Sequence, residues 1–404
     1  MDHAYPDVHG FTPHAEGARL ALCGNVFPAE TAAAVFSALE GPIPAWVEGL
    51  RRRGYTGSLG LGLYFACDAA RQFLHSDEKL ARLSQDLCRL GLDVWTANAF
   101  PFGGFHGQRV KEKAFLPDWR SSERVAFTCS VARILAHLMM PDSVGSVSTC
   151  PLGYGPDARR SPAALNHLRT AQENLLLLEE RTGVRLYLGL EPEPDGAFER
   201  IADLATWLRE QLYPDVDPKD RRIGLCWDLC HSAVVGEGVE EAWQVVCETE
   251  VPIAKVQISS ALQIQGPVDA AARQRLEELS GDAYFHQVRG NLADGRPCAF
   301  SDLPRFLEFP DHEVVEELRI HYHVPVHCQD YGDGFRATPW LQPMKFLQQA
   351  GIQDFELETY TLPVLPAAYL QGKGLVGTMV EESLVCGKHL GLLDPAATDG
   401  HSPS

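Results

Sequence analysis

The sequence predicts a (β/α)8 barrel built by most of a 404-residue chain. Short runs of strand length, almost entirely apolar, alternate with longer helical patterns, which is typical of a parallel sheet buried on both faces. Eight such units follow one another, and polar residues recur where an apolar run ends. Both observations favour this fold, because the chemistry of such barrels lies at the carboxyl ends of their strands.

The predicted strands share an aliphatic composition and lie at residues 20–27, 58–65, 92–100, 144–149, 185–191, 223–228, 253–259 and 355–360. Helical patterns fill the intervals and follow the last strand, at residues 44–51, 67–90, 120–140, 162–182, 198–213, 237–249 and 364–387. A doubly wound open sheet is the alternative fold. It is disfavoured because no glycine-rich phosphate-binding loop follows the first strand.

One interval is far longer than a barrel crossover requires. An insertion over residues 260–350 separates the seventh and eighth strands, and an insertion at this end of a barrel usually covers or completes a site. It contains a helical pattern, a Gly/Asn/Asp-rich stretch and an extended run, at residues 269–279, 289–296 and 319–327. The predicted organisation is a flexible leader, a single barrel domain and a disordered tail, at residues 1–17, 18–388 and 389–404.

The composition argues against two classes of partner. The formal net charge of -19 disfavours nucleic acids and anionic membrane surfaces, because both repel an acidic protein. No apolar stretch approaches the length of a membrane span, and the eleven cysteines form no CxxC pair, which favours free thiols in a reducing compartment. We therefore expect a cytoplasmic protein without direct membrane insertion.

Four predicted strands end in polar residues. Glu191, Asp228, Gln257 and Glu358 end or follow the apolar runs of strands five to eight, and His231 stands three residues after Asp228. One such residue alone would be read as a turn or capping residue, but four at the same level of consecutive strands are expected to converge. Carboxylate, amide and imidazole groups in this combination suit a divalent ion such as Mn, Mg, Co or Zn. The sequence therefore predicts a metal site at this end of the barrel.

The extended run in the insertion carries three histidines. His321, His323 and His327 lie on one face if the run is a strand, because strand residues alternate between faces. Surface histidines are the plain alternative. Closely stacked imidazoles would repel one another when protonated, which favours a metal ion or a carboxylate between them.

A second polar group follows the third strand. Residues 100–112 combine aromatic residues and glycines with His106 and Lys111. Such a loop is suited to close over a substrate and to donate hydrogen bonds, so both side chains are candidate substrate contacts. A loop whose aromatic residues only cover the barrel rim is the alternative.

Several of these segments resemble known families. Three strand ends resemble the xylose isomerase-like TIM barrels, which include sugar and cyclitol isomerases and epimerases and the endonuclease IV nucleases; they are residues 188–192, 227–231 and 356–359. Four further segments look like EboE, a barrel protein of a bacterial gene cluster linked to metabolite production and traffic; they are residues 25–28, 98–106, 148–154 and 321–325. The resemblance covers roughly residues 18–388.

The resemblance implies metal ligands at the ends of strands five to eight. The superfamily has Glu, Asp, His and Glu there, and the matching residues are Glu191, Asp228, Gln257 and Glu358. Gln257 departs from the pattern, and its amide oxygen is a weaker ligand than imidazole. His231 resembles a histidine that contacts substrate in the epimerases and a second metal in the nucleases.

Further roles are implied in the same way. His321 and His323 resemble an Asp-x-His pair that binds another metal in the nucleases, whereas Phe27 stands where close EboE relatives would have histidine. In the isomerases and epimerases the two glutamates also exchange protons with a substrate carbon, which makes Glu191 and Glu358 the expected catalytic pair. The expected substrate contacts are Asn98, His106, Lys111, His231 and His327.

Three functions remain open on these grounds. The first is a metal-dependent isomerase or epimerase acting on a small polyhydroxylated, sugar- or cyclitol-like metabolite of an ebo-type biosynthetic pathway. The second is a metal-dependent phosphoesterase of the endonuclease IV type, which the additional histidines favour and the net charge disfavours. The third is a non-catalytic barrel that binds or hands over a metabolite among pathway partner proteins, which Gln257 favours.

Overall fold

The computed structural model describes residues 17–104, 111–281, 284, 286–310 and 314–394, apart from the side chain of Lys111. Its central element is a closed barrel of eight parallel strand positions, of which the third consists of two short pieces. The strand segments are β1 (Arg19–Cys23), β2 (Leu59–Tyr64), β3 (Leu92–Asp93), β4 (Thr96–Asn98), β5 (Val144–Thr149), β6 (Arg185–Leu190), β7 (Ile223–Asp228), β8 (Ile253–Ile258) and β15 (Asp354–Leu357). Because β1 pairs with both β2 and β15, the barrel closes, and the predicted (β/α)8 fold is confirmed.

Helices lie between the barrel strands and in the insertion. They are α1 (Ala32–Glu40), α2 (Pro42–Arg52), α3 (Cys67–Leu74), α4 (Asp77–Leu90), α5 (Ser122–Leu138), α6 (Pro162–Thr182), α7 (Ile201–Trp207), α8 (Leu229–Val235), α9 (Val239–Thr249), α10 (Ala270–Leu279), α11 (Leu303–Leu307), α12 (Leu341–Gln349) and α13 (Gly374–Leu390). Apolar side chains from the strands and from the inner helix faces form one continuous core. Within the described ranges, no helix combines the length and the apolar character that a membrane span requires.

A second, antiparallel sheet occupies the interval between β8 and β15. Its strands are β9 (Ala261–Gln265), β10 (Val288–Leu292), β11 (Pro297–Phe300), β12 (Val315–His323), β13 (Asp330–Gly332) and β14 (Phe335–Ala337), in the order β11-β10-β12-β9-β14-β13. Because β9 begins almost directly after β8 ends, this sheet is carried by the carboxyl end of the barrel. It therefore reaches the end at which the candidate site lies.

An ion-pair network joins the second sheet to the barrel. Arg289 of β10 donates hydrogen bonds to Asp195 at 2.7 Å and to Glu199 at 2.6 Å, both in the segment that follows β6. The guanidinium is mostly buried, so these contacts are less screened than a surface ion pair. They hold the insertion against the barrel beside the segment that begins with Glu191.

The barrel interior is polar beneath the carboxyl end. Lys255 of β8 and Glu356 of β15 form a fully buried ion pair, with Nζ 2.5 Å from Oε2. A Cβ at position 62 would lie 1.8 Å from Glu356 Oε1, so only glycine leaves room for this carboxylate. The ion pair lies directly below Glu358, which is two residues further along the chain.

Some element boundaries differ from those predicted. The helical pattern over 67–90 is two helices: the first ends at Leu74 with His75 as its C-cap, and Ser76 caps the second by accepting a hydrogen bond from the Lys79 amide. The stretch over 289–296 contains the β10–β11 turn rather than only a loop, and the final helix begins at Gly374 rather than near residue 364.

The structured chain also extends beyond the predicted domain boundary at residue 388. Helix α13 continues to Leu390, and the Leu392 carbonyl accepts hydrogen bonds from the amides of Thr56 and Gly57. Residues 389–394 therefore pack on the barrel instead of belonging to a disordered tail. Residues 1–16 and 395–404 lie outside the described ranges.

Candidate metal and substrate site

A cavity opens at the carboxyl ends of the barrel strands, the end at which the sites of such barrels lie. Aromatic side chains form part of its wall, namely Phe100, Phe115, Tyr284 and Tyr360. Its polar wall residues are Asn25, Asn98, Glu191, Glu193, His231, Gln287, His321 and Glu358. Among the described wall residues there is no lysine or arginine, so carboxylates and imidazoles dominate the site.

Three carboxylates converge at the base of the barrel's carboxyl end, and two of them, Glu191 and Glu358, line this cavity. Oxygens of Glu191, Asp228 and Glu358 lie within 4.8 Å of one another, and all three side chains are buried. Burial, together with the neighbouring negative charges, raises the pKa of Glu191 and of Glu358 well above the usual range. Glu191 Oε2 and Asp228 Oδ2 have no hydrogen-bond partner. Buried oxygens left in this way require a proton or a cation, and a divalent ion fits the donor set.

Asp228 is positioned by its place at the end of β7 and the start of α8. As the N-cap of α8, it accepts a hydrogen bond from the His231 amide at 2.8 Å through Oδ1, which also accepts from Ser259 Oγ at 2.8 Å. Oδ1 of Asp228 is thus held by two hydrogen bonds, whereas Oδ2 has no hydrogen-bond partner and is available to a cation. A two-turn helix begins directly after Asp228 and holds His231 in its first turn.

Gln257 takes part in the cluster as a hydrogen-bond donor. Its Nε2 donates to Glu358 Oε2, while Asn25 Nδ2 donates to Glu358 Oε1 at 2.7 Å. The side-chain oxygen Oε1 of Gln257 accepts a hydrogen bond from Cys226 Sγ at 3.0 Å. In this arrangement the side-chain oxygen of Gln257 faces Cys226, and its amide group contacts Glu358.

Three imidazoles form a second cluster beside the carboxylates. The ring centroids of His231, His321 and His323 lie 4.6 to 5.7 Å apart. Each Nδ1 faces a carbonyl oxygen: Pro192 O at 3.0 Å for His231, Gln287 Oε1 at 2.7 Å for His321 and Glu358 O at 3.0 Å for His323. Because a carbonyl only accepts, each Nδ1 carries the proton and each Nε2 of a neutral ring presents a lone pair.

Two of these lone pairs face each other. His231 Nε2 and His321 Nε2 are 3.0 Å apart, which leaves them in need of a shared proton or a metal ion. Burial lowers the pKa of both rings, and for His321 the positive charges of His231 and His323 lower it further, so a proton is disfavoured. Two nitrogens bound to one zinc at about 2.05 Å lie roughly 2.9–3.4 Å apart for angles between 90° and 109°. The observed separation therefore fits two ligands of one ion.

His323 completes this cluster. Its Nε2 is buried without a partner, and burial lowers its pKa to about 4. A metal-binding nitrogen of His323, one of His231 and an oxygen of Asp228 all lie within 4.8 Å of one another. The three histidines thus connect the carboxylate cluster of the barrel with β12 of the insertion.

The other predicted contacts are distributed differently. Asn98 lies on the cavity wall, and its Oδ1 accepts a hydrogen bond from the Phe100 amide at 2.8 Å. His327 is not among the wall residues, because β12 ends at His323 and His327 lies in the turn that follows, where strand alternation no longer applies. His106 and the side chain of Lys111 lie outside the described residues.

Glu193, Gln287, Tyr284 and Tyr360 are wall residues that the sequence interpretation did not single out. The alternation Glu191-Pro192-Glu193-Pro194 is a signal that could have pointed to Glu193, because it repeats the acid at the same strand end. Gln287 and Tyr284 come from the insertion, where no periodicity indicated which residues face the barrel.

The comparisons with known proteins concern the fold. No protein-family model matches the chain, and no curated protein matches it. A candidate sugar phosphate isomerase/epimerase from Anabaena variabilis is similar in structure, with 12% identity, 93% of this chain and 99% of that chain covered, and a TM-score of 0.53.

Two further solved structures are similar at lower TM-scores. The zinc-binding IolI protein has 12% identity over 93% of this chain and 99% of its own, with a TM-score of 0.46. D-allulose 3-epimerase from Methylomonas sp., in complex with D-allulose, has 14% identity over 95% and 100%, with a TM-score of 0.44. The structural neighbours are thus xylose isomerase-like and sugar phosphate isomerase/epimerase barrels. At such low identity the likeness establishes the fold, and the reaction has to be argued from the site.

Proposed function

We propose that this chain is a metal-dependent isomerase or epimerase that acts on a sugar- or cyclitol-like metabolite. The observation that carries the proposal is the convergence of Glu191, Asp228 and Glu358, of which Glu191 and Glu358 lie on the wall of an open cavity, with unpaired buried oxygens on Glu191 and Asp228. These three carboxylates would hold a divalent ion, whose charge would stabilise an oxyanion next to the reacting carbon. The metal-ligand set of the proposal consists of these carboxylates together with His231, His321 and His323.

The protein residues supply the proton transfer. Glu191 and Glu358 follow strands five and eight of the barrel, so their carboxylates enter the cavity from separate parts of its wall. Glu358 is oriented by two amide donors, whereas Glu191 Oε2 accepts from no donor. One glutamate removes a proton from carbon and the other returns one, which inverts the centre or moves a carbonyl group.

The substrate class follows from the wall. Tyr284 and Tyr360, packed edge to face at 5.2 Å between ring centroids, offer an aromatic surface to a sugar or cyclitol ring. Asn98 and Gln287 offer amide groups to hydroxyls. The EboE resemblance makes an ebo-type biosynthetic pathway part of the proposal, with pathway proteins as partners.

Metal analysis tests the proposal first. The purified protein is dialysed against Mn²⁺, Zn²⁺ or Co²⁺, and bound metal is measured by mass spectrometry. At least one equivalent is expected. Less than a tenth of an equivalent with every ion would overturn the proposal.

Solvent exchange tests the reaction. The metal-loaded protein is incubated in D₂O with a panel of ketoses, aldoses and inososes, and deuterium at carbon is followed by NMR. Glu191→Gln and Glu358→Gln are each expected to reduce exchange about 10²–10⁴-fold. Glu199→Gln, which alters an acid outside the cavity wall, serves as the control and should retain exchange. Metal binding without exchange on any member of the panel would instead favour the second candidate.

The second candidate is a non-catalytic barrel that binds a metabolite and transfers it to another protein. Its support is Gln257, which donates to Glu358 at the place where the resemblance implies a histidine ligand. A cavity that binds the same metabolites with unchanged affinity in Glu191→Gln and Glu358→Gln, without exchange, would establish this function.

A further inference from the structure

Glu193 is a residue of the cavity wall to which the proposed function gives no role. It follows Glu191 by two residues, in the segment between β6 and α7. Its side chain is 6% exposed, and Oε1 is buried without a hydrogen-bond partner. Burying a carboxylate oxygen without a donor is costly, so this oxygen requires a donor or a cation that enters from the cavity.

The backbone holds Glu193 in a fixed position. Its amide donates to the Phe198 carbonyl at 3.1 Å, and its carbonyl accepts from the Gly196 amide at 3.0 Å. The carbonyl of the next residue, Pro194, accepts from Nε2 of Gln287, which lies directly before β10, at 2.9 Å. The carboxylate is therefore held at the cavity wall before a ligand arrives, which lowers the cost of binding.

Two other acids of the same segment already have a cation. Arg289 donates hydrogen bonds to Asp195 at 2.7 Å and to Glu199 at 2.6 Å. Among the described residues, no lysine or arginine forms an ion pair with Glu193, and none lies on the cavity wall. The positive partner of Glu193 therefore has to come from a ligand.

The proposed metal ion balances only part of the negative charge of the site. Glu191, Asp228, Glu358 and Glu193 are four buried carboxylates, and a divalent ion compensates two of them. The proton carried by the glutamate that acts as the acid compensates a third. One negative charge remains at a buried position, where an unpaired charge is costly. A single positive charge on the substrate would compensate it.

We propose that the substrate of this site is a cationic amino polyol, an amino sugar or an aminocyclitol, whose ammonium group binds Glu193. The inference rests on the proposed function, because it names the substrate class of that same site. An ammonium group has three donors, and its hydrogen bond to a carboxylate is charge-assisted. The formal net charge of -19 attracts such a cation to the protein and repels phosphorylated sugars.

Matched pairs of ligands test the inference. The metal-loaded protein is titrated by calorimetry with D-glucosamine and D-glucose, with 1-amino-1-deoxy-D-fructose and D-fructose, and with scyllo-inosamine and scyllo-inositol. In each pair an ammonium group replaces one hydroxyl, and salt at about 0.15 M screens attraction to the protein surface as a whole. The amino member of at least one pair is expected to bind about 10–100-fold more tightly. A preference below about 10-fold in every pair would overturn the inference.

Glu193→Gln tests whether this carboxylate binds the ammonium group. The variant keeps the size of the side chain and removes its charge, so the preference for the amino member should be lost while the affinity for the hydroxyl member is retained. Glu199→Gln, which alters an acid paired with Arg289, is the control and should keep the preference. A preference that persists in Glu193→Gln would overturn the role of Glu193. The comparison within each pair uses the unaltered protein, so it stands even if Glu193→Gln does not fold.

Deuterium exchange distinguishes failure of this inference from failure of the proposed function. On the preferred amino polyol, Glu193→Gln should raise KM at least about 10-fold and leave kcat nearly unchanged, because it removes an interaction made equally in the ground state and the transition state. Exchange on neutral polyols without a preference for an amine would overturn the substrate class and leave the isomerase in place. Absence of bound metal or of exchange on every polyol would instead refute the proposed function.

Discussion

At the scale of single residues, Gln257 stands where the family resemblance implies a histidine ligand. In the structure its amide donates to Glu358, so the residue removes a lone pair from the cluster instead of adding one. A histidine at this position would both release that oxygen and offer an imidazole nitrogen.

Gln257→His is therefore expected to bind Mn²⁺ or Zn²⁺ at least 10-fold more tightly than the unaltered chain, measured by competition with a fluorescent chelator. Gln257→Leu is the matched variant, because it removes the amide donor without adding a ligand. If both variants bind the metal with the affinity of the unaltered chain, the histidine does not reach the ion, and the amide of Gln257 has no measurable influence on the cluster.

The residues of the barrel strands could be predicted from the sequence more completely than those of the insertion. Glu191, Asp228 and Glu358 stand at the ends of apolar runs, and the closed barrel brings them together, as expected. His327 was expected beside His321, but β12 ends at His323 and His327 lies in the turn beyond it. The end of β12 depends on its pairing with β9 and β10, long-range contacts that alternation within one segment does not reveal.

At the scale of elements, the ion pairs of Arg289 hold the second sheet to the barrel, and a mutation of this residue tests their contribution. Arg289→Met leaves the carboxylates of Asp195 and Glu199 without their cation, and the mostly buried geometry places the cost at about 1–3 kcal/mol. Hydrogen exchange of the backbone amides of β10 and β12 should become faster.

The control for this prediction lies on the same hairpin. Arg296 pairs with Asp294 while both side chains are mostly exposed, so Arg296→Met should change stability by less than about 0.5 kcal/mol. Equal exchange rates in the two variants would show that Arg289 does not hold the sheet.

Helix α13 carries an acid that makes stability depend on pH. Glu382 is fully buried, and its Oε1 accepts from the Val326 amide at 2.9 Å and from Thr359 Oγ1 at 2.8 Å. Burial raises its pKa to about 7. Because the folded chain holds this proton more tightly than the unfolded chain, the contribution to stability is full below the unfolded pKa of about 4.3 and is lost as the pH rises through 7.

Glu382→Gln keeps an uncharged side chain at every pH, so its melting temperature relative to the unaltered chain should rise by more than about 2 °C between pH 5 and pH 8. Calorimetry of the metal-free proteins measures this difference. Glu381→Gln is the neighbouring control: despite partial burial, the hydrogen bond from Arg53 lowers the pKa of Glu381, so its relative melting temperature should stay constant over this range. A constant difference for Glu382→Gln would show that this acid is ionised in the folded chain throughout.

Among the elements, the barrel strands could be predicted from sequence patterns, whereas α8 and the antiparallel sheet could not. The barrel strands are buried on both faces and are therefore apolar along their whole length. Their number and order could be predicted from these apolar runs. Helix α8 could not, because its seven residues are mostly buried and show no polar face that would indicate a helix. The antiparallel sheet likewise depends on pairing between segments that are far apart in the chain.

At the scale of the whole molecule, charge separates the remaining functions. The chain has a formal net charge of -19, and the described wall of the cavity contains carboxylates and imidazoles but no lysine or arginine. A nuclease of the endonuclease IV type has to bind a duplex against the repulsion of such a surface. Nonspecific binding alone requires several phosphate contacts from basic side chains.

We therefore expect no binding of a fluorescent 20-base-pair duplex containing an abasic site by the zinc-loaded protein, measured by anisotropy in 50 mM salt. The anisotropy should remain constant up to about 100 µM protein, at the weak end of ordinary nonspecific affinities. Low salt favours phosphate contacts, so a negative result there holds more strongly at physiological salt. Binding that weakens with added salt, together with cleavage at the abasic site, would show that the protein is a phosphoesterase. This result would contradict the proposed isomerase, because the same carboxylates would then act on a phosphate ester and not on a carbon-bound proton.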